Sequence, residues 1–386
     1  MSIPFIDLQA QRRRIAGKID SAIQTVLDHG AFVMGPEVGE LERQLAAFSG
    51  AKHAVACASG TDAIALALMA WEVKPNDAVF CPSFTFCATG EVIPWFGASP
   101  VFVDIEADTY NLNPDDLERA IEQTIREGKL TPKVIIGVCL FGQSANYPRL
   151  REIADKYGLK LLADSAQGFG ATINGRHPSD FADVVTTSFF PAKPLGCYGD
   201  GGAVLTNDAA LADILDSLHV HGKAITADME GRTFDHDPKY LNMRIGMNSR
   251  LDTIQAAVLL EKLAIFADEI EARNKIAARY NELLAPHVSS TPSVKDGYVS
   301  IWAQYTIEHD NRDGLRGHLA ALDIPTAVYY PAPMHVSPAY KEFAPAPGTL
   351  KVTEEKAGGV MSLPMHPYLD EETQDRIVDA IRGFNG

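Results

Sequence analysis

Between residues 53 and 208 the sequence alternates short apolar runs with amphipathic segments, and this alternation limits the fold more than any other feature. Segments such as "PDDLERAIEQTIREG" and "YPRLREIADKYG" carry apolar residues at helical spacing. Strands that are apolar throughout and alternate with such helices predict a mostly parallel sheet covered on both faces. The apolar runs that predict strands are "HAVACA", "DAVFCPSF", "SPVFVDI", "KVIIGVCL", "LKLLADSA", "ADVVTTSFF" and "GAVLTND".

The segments that follow this region predict a second, smaller domain, while the helices that precede the region belong to the large one. Two short helical patterns precede it and end at Gly30 and Gly50. From Leu251 to Leu284 the pattern is helical throughout, and "VSIWAQYTIEH" and "GLRGHLAALDIPTAVYYP" then predict a strand, a helix and a second strand. We therefore expect a large domain over residues 1–250 and a smaller α+β domain over residues 251–386.

Charge and cysteine content exclude several classes of protein. A formal net charge of -16 argues against nucleic acid as the main partner, because phosphate backbones need a basic surface. The five cysteines are odd in number and form no C-x-x-C pair, which predicts reduced thiols in a cytoplasmic protein without a disulfide framework or a metal site. No apolar run approaches the ~20 residues of a membrane-spanning helix.

One lysine stands out, because it contributes nothing obvious to a helix or a strand. Lys193 lies between Pro191 and Pro194 in "SFFPAKPLGCYGDGGAVLTND". A desolvated lysine amine is a nucleophile toward aldehydes, and pyridoxal phosphate enzymes need one together with a carboxylate that faces the pyridine nitrogen. The alternative is an ordinary solvated loop lysine.

The stretch "LLADSAQGFGA" supplies a candidate for that carboxylate. Asp164 ends an apolar strand, where ligands of open α/β sheets bind. Gln167 follows three residues later, within reach of the ring hydroxyl of a bound cofactor. The alternative for Asp164 is a helix cap after the strand.

Two further stretches fit the phosphate and the ring of the same cofactor. "ACASGTDAIALAL" predicts a strand, a tight turn and a helix. Because the N-terminus of a helix favours anions, the N–H groups of Gly60 and Thr61 at the helix start are expected to face one. Ser188 offers a hydroxyl for the same phosphate, and Phe86 is the preferred ring-stacking residue, with Phe84 packed in the core. The alternative for the turn is an ordinary helix capped by Ser59 or Thr61.

The chain resembles the DegT/DnrJ/EryC/StrS family of pyridoxal-phosphate sugar aminotransferases. The resemblance runs along nearly the whole chain, and its stretches are "ASGTDAI", "PSFTFCAT", "ADSAQGFGA", "SFFPAKPLGCYGDGGA", "GMNSRLDTIQAA", "IPTAVYYP" and "MSLPMHP". It implies the aspartate-aminotransferase-like fold (fold type I), with a mostly parallel seven-stranded sheet and a smaller C-terminal α+β domain. It also implies pyridoxal 5'-phosphate as cofactor, with pyridoxamine 5'-phosphate as its intermediate form.

By this resemblance, Lys193 binds the cofactor aldehyde covalently and then moves protons. Asp164 pairs with the pyridine nitrogen, Gln167 bonds the ring oxygen and Phe86 stacks on the ring. The phosphate is held by Gly60, Thr61 and Ser188, together with Asn248 of the neighbouring subunit, which implies a homodimer with shared active sites. The residues that resemble those lining the sugar site in relatives are His221, Arg250, Tyr329, Tyr330 and His335. For Arg250 a bidentate carboxylate contact and an interface salt bridge stay open. For Asn248 the alternative is a cap for the long helix from Leu251, and the two roles are compatible.

The implied reaction moves an amino group from an amino acid, expected to be L-glutamate, to a keto sugar of a nucleotide sugar. The stretches most resemble the branch that aminates C3 of UDP-2-acetamido-3-oxo-glucuronate, for surface polysaccharide such as O-antigen. At "VYYP" the chain departs from the "VHYP" expected in that branch. The alternatives are a 4-keto nucleotide-sugar aminotransferase, a sugar dehydratase on the same scaffold, and a non-catalytic cofactor-binding sensor or regulator.

Overall fold

The computed structural model describes residues 3–229, 241–346 and 348–384. The α-helices of these residues are α1 (Leu8–Arg14), α2 (Ala16–His29), α3 (Pro36–Ser49), α4 (Gly60–Ala70), α5 (Ala88–Glu91), α6 (Pro114–Glu127), α7 (Tyr147–Tyr157), α8 (Ala209–Leu218), α9 (Thr226–Met229), α10 (Thr253–Leu284), α11 (Arg312–Ala321), α12 (Lys351–Gly359) and α13 (Glu371–Arg382). The strands are β1 (His53–Cys57), β2 (Asp77–Pro82), β3 (Ser99–Val103), β4 (Thr131–Val138), β5 (Lys160–Asp164), β6 (Thr172–Ile173), β7 (Val184–Ser188), β8 (Gly202–Thr206), β9 (Tyr298–Val299), β10 (Tyr305–Glu308) and β11 (Val360–Leu363).

The seven predicted apolar runs form one seven-stranded sheet. Its strand order is β1-β8-β7-β5-β4-β2-β3. Strand β8 runs antiparallel to both of its neighbours, and the other pairs are parallel. The prediction of a mostly parallel α/β sheet is therefore confirmed.

Helices cover both faces of this sheet. On one face Leu41 and Leu45 of α3 pack with Leu150 of α7 and Phe266 of α10. On the other face the apolar side chains of α4 pack with Leu215 of α8. Because both faces are buried, strands such as β2 and β8 are buried along their whole length, which explains their continuous apolar sequences.

Helix α10 passes from this core into a second one. Its first half places Ala256 and Leu259 in the core beneath the sheet. Its second half places Tyr280 and Leu284 in a separate C-terminal core. The division at residue 250 stays a prediction, although the long helix that was expected to link the two parts is present.

The C-terminal strands differ from the prediction. "VSIWAQYTIEH" is not one strand. Its first residue, Val299, ends the two-residue strand β9, and its later residues form β10, which pairs with β11. The predicted strand in "IPTAVYYP" is wrong, because only Ala327 makes an isolated bridge, to Ser362 of β11. Pro325 and Pro331 flank that bridge, and proline cannot donate to a strand ladder. The second strand comes instead from "VMSL", the strand β11, which lies before the last helix.

No helix of the described residues is both long and apolar enough to cross a membrane.

A carboxylate that follows a strand of the seven-stranded sheet caps a helix of the C-terminal part. Helix α12 follows Leu350, which has no side-chain acceptor for the first N–H groups of the helix. Asp104, 5% exposed after β3, accepts these bonds instead, from Val352 N at 3.0 Å and from Thr353 N at 2.8 Å. This contact spans almost 250 residues of sequence and joins the two parts of the molecule.

We expect Asp104→Ala to lower the free energy of unfolding by about 1–2 kcal/mol, since two N–H groups lose their acceptor. Urea denaturation followed by far-ultraviolet circular dichroism measures this change. Asp108→Ala is the matched control, because Asp108 is exposed and its carboxylate makes no hydrogen bond with the described residues. Equal loss of stability in the two variants would contradict the capping role.

Candidate active site

The site lies where parallel strands end at one edge of the sheet. Cys57 at the end of β1 and Ser188 at the end of β7 both pair with Gly202, the first residue of β8. Asp164 ends β5 and pairs with Thr186 of β7. The carboxyl edge of an open parallel sheet is where such folds bind ligands.

Two glycines allow the backbone to come together at this edge. A Cβ on Gly60 would lie 2.6 Å from the Cβ of Ser188, and a Cβ on Gly202 would lie 2.4 Å from the carbonyl oxygen of Ser59. Both distances are shorter than real contacts, so only glycine fits at either position. The three segments that carry Gly60, Ser188 and Gly202 therefore meet directly.

Helix α4 begins at this meeting point. Ser59 is its N-cap, and the Ser59 hydroxyl accepts from Asp62 N at 3.0 Å. The N–H groups of Gly60 and Thr61 make no hydrogen bond with the described residues. Ser59 rather than Thr61 is therefore the cap of the helix. The N–H groups of Gly60 and Thr61 stay available at the positive end of the helix for an anion.

Lys193 lies in the loop between β7 and β8, next to an exposed ring. Its Nζ is 5.9 Å from the centre of the Phe86 ring, which is 50% exposed. The amine makes no hydrogen bond with the described residues. Burial lowers the pKa of the Lys193 amine, and the nearby Asp164 carboxylate opposes this effect. An amine with a lowered pKa loses its proton more easily and becomes a better nucleophile.

Asp164 is the buried carboxylate of the site. Thr89 Oγ1 donates to Oδ2 at 2.8 Å, and Ala166 N donates to Oδ1 at 3.1 Å. Burial raises the pKa of Asp164, while the bonds from Thr89 and Ala166 and the charge of Lys193 counteract it. Each oxygen is held by one donor, so the carboxylate is oriented.

Gln167 is fixed at both ends of its amide. Its Oε1 accepts from Phe141 N at 2.8 Å, and its Nε2 donates to the hydroxyl of Tyr330 at 2.9 Å. The Tyr330 ring packs against Phe84, with ring centres 6.1 Å apart, and lies 6.5 Å from Phe86. Tyr330 thus brings the C-terminal part of the chain into contact with a predicted cofactor residue. Phe84 is fully buried, so it packs in the core while Phe86 stays accessible.

Three predicted residues lie on segments that meet near the start of α4. Asn248 and Arg250 flank Ser249, whose hydroxyl donates to Asp62 at 2.7 Å and accepts from Ala58 N at 3.1 Å. His221 N donates to the carbonyl of Met247 at 3.0 Å. The side chains of Asn248 and His221 are exposed, and Arg250 makes no ion pair with the described residues.

Two predicted substrate residues have different surroundings. Tyr329 is half-buried beside Phe5 and Tyr330. His335 is buried, with Nδ1 2.8 Å from the Ser83 hydroxyl and Nε2 3.3 Å from Glu354. Both ring nitrogens of His335 already have protein partners. Its predicted contact with substrate stays a prediction, as do the predicted roles of the other site residues.

Residues 13–382 match the DegT/DnrJ/EryC1/StrS aminotransferase family. The chain belongs to this family.

Several relatives extend the match over nearly the whole chain. The chain is 47% identical, over 95% of its length and 96% of the relative, to a UDP-2-acetamido-2-deoxy-3-oxo-D-glucuronate aminotransferase of Pseudomonas aeruginosa. A crystal structure of a DegT/DnrJ/EryC1/StrS aminotransferase from Brucella abortus is 52% identical and matches with a TM-score of 0.94, covering all of both chains. NtdA from Bacillus subtilis, solved with bound cofactor PMP, is 28% identical with a TM-score of 0.86, covering 99% of this chain and 84% of that one.

The family resemblance and the fold type I prediction are therefore confirmed, and the protein is an aminotransferase of a family that depends on pyridoxal phosphate.

The residues at the sheet edge fit this cofactor. The glycine-lined turn offers free N–H groups to a phosphate, and Phe86 offers an exposed ring face. The Lys193 amine has no hydrogen-bond partner among the described residues, and the oriented carboxylate of Asp164 lies within its electrostatic reach. The cofactor's aldehyde thus matches the Lys193 amine, its ring nitrogen matches the Asp164 carboxylate, and its phosphate matches the N–H groups at the start of α4.

Thr89 and the contact of Tyr330 with Gln167 were missed by the sequence analysis. Thr89 is buried in the short helix α5 and also bonds Thr85 at 3.1 Å. No local pattern marks it, because its partner Asp164 is 75 residues away. Tyr330 was assigned to the sugar site, and its bond to Gln167 spans 163 residues.

We expect Tyr330→Phe to weaken cofactor binding about five- to tenfold, because one end of the Gln167 amide loses its partner. Equilibrium dialysis of the cofactor measures the dissociation constant. Tyr329→Phe is the matched control, since the Tyr329 hydroxyl makes no hydrogen bond with the described residues. The role of Tyr330 would be refuted by an unchanged constant, or by an equal change in Tyr329→Phe.

Proposed function

We propose that this aminotransferase transfers an amino group from L-glutamate to C3 of a UDP-linked 3-keto sugar, such as UDP-2-acetamido-3-oxo-glucuronate. The 47% identity to the Pseudomonas aeruginosa enzyme over almost the whole chain carries this proposal. The product would be an amino sugar for a surface polysaccharide such as O-antigen, made in the cytoplasm.

When bound, pyridoxal phosphate supplies an aldehyde that holds amines covalently and a ring that accepts the electron pair of a broken Cα–H bond. Asp164 suits the role of partner to the ring nitrogen, because it is buried and its orientation is fixed by Thr89 and Ala166 N. Phe86 provides an accessible ring face, and the N–H groups of Gly60 and Thr61 provide donors for the phosphate. Gln167 has one amide N–H left for the ring oxygen after its bond to Tyr330.

Lys193 is proposed to hold and move protons at its Nζ atom. Burial lowers the pKa of Lys193 and so favours the neutral amine, the form that accepts a proton from a substrate carbon. The same atom then returns that proton to a neighbouring carbon. The amine makes no hydrogen bond with the described residues, so none has to be broken before it acts.

Arg250 is proposed to bind a substrate carboxylate. Both glutamate and a glucuronate sugar carry one, and a guanidinium binds it through two parallel hydrogen bonds. Arg250 is half-buried and makes no ion pair with the described residues. The chain carries a net charge of -16, so attraction of anionic substrates depends on such local groups.

Conversion of the enzyme to its pyridoxamine form, followed by a panel of 3-keto and 4-keto nucleotide sugars, tests the substrate. We expect the 3-keto uronate to restore the pyridoxal spectrum at a rate at least about tenfold above 4-keto sugars, the difference that one well-placed contact provides. Stopped-flow absorbance measures each rate.

Each result of that panel decides the proposal. Preference for a 4-keto sugar would overturn the C3 assignment, and Tyr329 in place of the expected histidine would then be the first position to exchange. Failure of glutamate to generate the pyridoxamine form would overturn the assignment of the donor. Both results leave the family and the cofactor unaffected.

We also propose a homodimer in which Asn248 of one subunit completes the phosphate site of the other. Asn248 is exposed beside the start of α4 in its own subunit. Phe32 and Val33 are exposed apolar side chains next to the first turn of α10. Their backbones are bonded to that turn, because Thr253 N donates to the Phe32 carbonyl and Val33 bridges to Asp252. Apolar side chains exposed together are typical of a subunit interface.

Mixing two inactive variants tests this arrangement. Lys193→Ala should lose the visible absorption band of the lysine-bound cofactor, and Asn248→Ala should bind the cofactor weakly. Unfolded together and refolded, they form mixed dimers in which one site contains both native residues, so activity should return to about a quarter of the wild-type value for a random mixture. Recovery would be absent if Asn248 acts within its own subunit. Refolded wild type is the control for yield.

A further inference from the structure

Three charged side chains are buried on helix α10. Lys262 and Glu269 are each 1% exposed, and Arg273 is 5% exposed. Their spacing of seven and four residues places them on one face of the helix. Buried charges are costly unless they are paired or hydrogen-bonded, so each one needs a structural explanation.

The contacts of Lys262 lead to the loop that carries Lys193. Its Nζ donates to the carbonyl oxygen of Gly196 at 2.6 Å and lies 4.4 Å from the centre of the Tyr198 ring. Gly196 is three residues after Lys193. Helix α10 holds the loop at a second point, because Gln255 Oε1 accepts from Tyr198 N at 2.7 Å.

The loop itself is tightly folded around these contacts. Lys193 N donates to the carbonyl of Phe190 at 2.8 Å, and Cys197 N donates to the carbonyl of Phe189 at 2.7 Å. A Cβ on Gly196 would lie 2.5 Å from the carbonyl oxygen of Pro191. Since the backbone on both sides of Lys193 is closed by such bonds, displacement of the Gly196 carbonyl would also displace the backbone of Lys193.

The charged amine of Lys262 loses its water of hydration when it is buried here, which is unfavourable. Burial lowers the pKa of Lys262 to about 8, although Cys197 and Glu269 oppose the shift. A methionine side chain of similar length would fill the same space without that cost. The specific contribution of the lysine is therefore that of its amine, which bonds the Gly196 carbonyl and lies over the Tyr198 ring of the same loop.

We infer that Lys262 is a positioning residue, whose amine fixes the Gly196 carbonyl and thereby sets the position of Lys193 relative to the cofactor. This inference rests on the proposed role of Lys193. The other two buried charges tie the same helix to the rest of the chain: Glu269 accepts from Gln11 Nε2 at 3.1 and 3.0 Å, and Arg273 Nη1 donates to the Trp302 carbonyl at 3.0 Å.

Lys262→Met in the holoenzyme tests this role. We expect kcat to fall about tenfold with little change in KM for the amino donor, because substrate binding is intact while the proton-transferring amine is misplaced. The pH midpoint of the visible band of the lysine-bound cofactor should also shift. Hydrogen exchange of a peptide covering residues 190–199 should become faster than in the wild type.

Tyr280→Phe is the matched control on the same helix. It removes one buried side-chain bond to a carbonyl, from the Tyr280 hydroxyl to Pro364 at 3.3 Å, far along the helix from the loop. It should lower the melting temperature without changing the band, kcat or exchange in residues 190–199. If Lys262→Met does not fold, Lys262→Gln, which keeps N–H donors on a shorter side chain, is measured by the same three readouts.

The positioning role is overturned if the Lys262 variant loses thermal stability but keeps the wild-type band midpoint, kcat and exchange rate. Failure of the inference remains distinguishable from failure of the proposed function. The band and the exchange rate require no sugar substrate, and retention of the band in Lys193→Ala would show separately that the wrong lysine had been chosen.

Discussion

The close approach of Gly60 to Ser188 is the constraint on which the site depends. The Cβ that any other residue would add at position 60 would lie 2.6 Å from the Cβ of Ser188, and Gly202 is similarly limited by the Ser59 carbonyl. With glycine at both positions, strands β1, β7 and β8 meet at one point, and the start of α4 faces the loop that carries Lys193. A side chain there would push the phosphate donors away from the lysine and separate groups that must act on one small molecule.

The electrostatics of the site follow from this packing. Burial shifts the pKa of Asp164 upward and that of Lys193 downward, and each of the two groups partly counteracts the shift of the other. Both shifts favour the neutral form of the group concerned, and the neutral form of Lys193 is the nucleophilic amine. A protonated ring nitrogen placed beside Asp164 would favour the charged form of the carboxylate, so the binding of the cofactor and the ionisation of Asp164 are expected to support each other.

Sequence patterns predict those parts of the molecule whose structure depends on residues close together in the sequence. The apolar runs give the seven strands, Gly30 and Gly50 give helix ends, and the position of Asp164 after a strand follows from local pattern. Contacts over long separations carry no such pattern: Thr89 reaches Asp164, Tyr330 reaches Gln167, and Asp104 caps α12. The wrong strand prediction at "IPTAVYYP" has a related cause, because β10 takes its partner from Val360–Leu363, which short-range periodicity does not distinguish.

Helix α10 connects the core beneath the sheet, the C-terminal core and the loop that carries Lys193. Its first half belongs to the core beneath the sheet and holds the Lys193 loop through Gln255 and Lys262. Its second half belongs to the C-terminal core. Tyr330, which bonds Gln167, packs instead against a separate apolar cluster that contains Phe84 and Phe141. Because a helix is stiff along its axis, movement of α10 relative to the sheet would act on the Lys193 loop, whereas movement of Tyr330 would act on Gln167. The amine and the amide proposed to bind neighbouring positions of the cofactor are thus held by different elements, the Lys193 loop by α10 and Gln167 by Phe141 N and Tyr330.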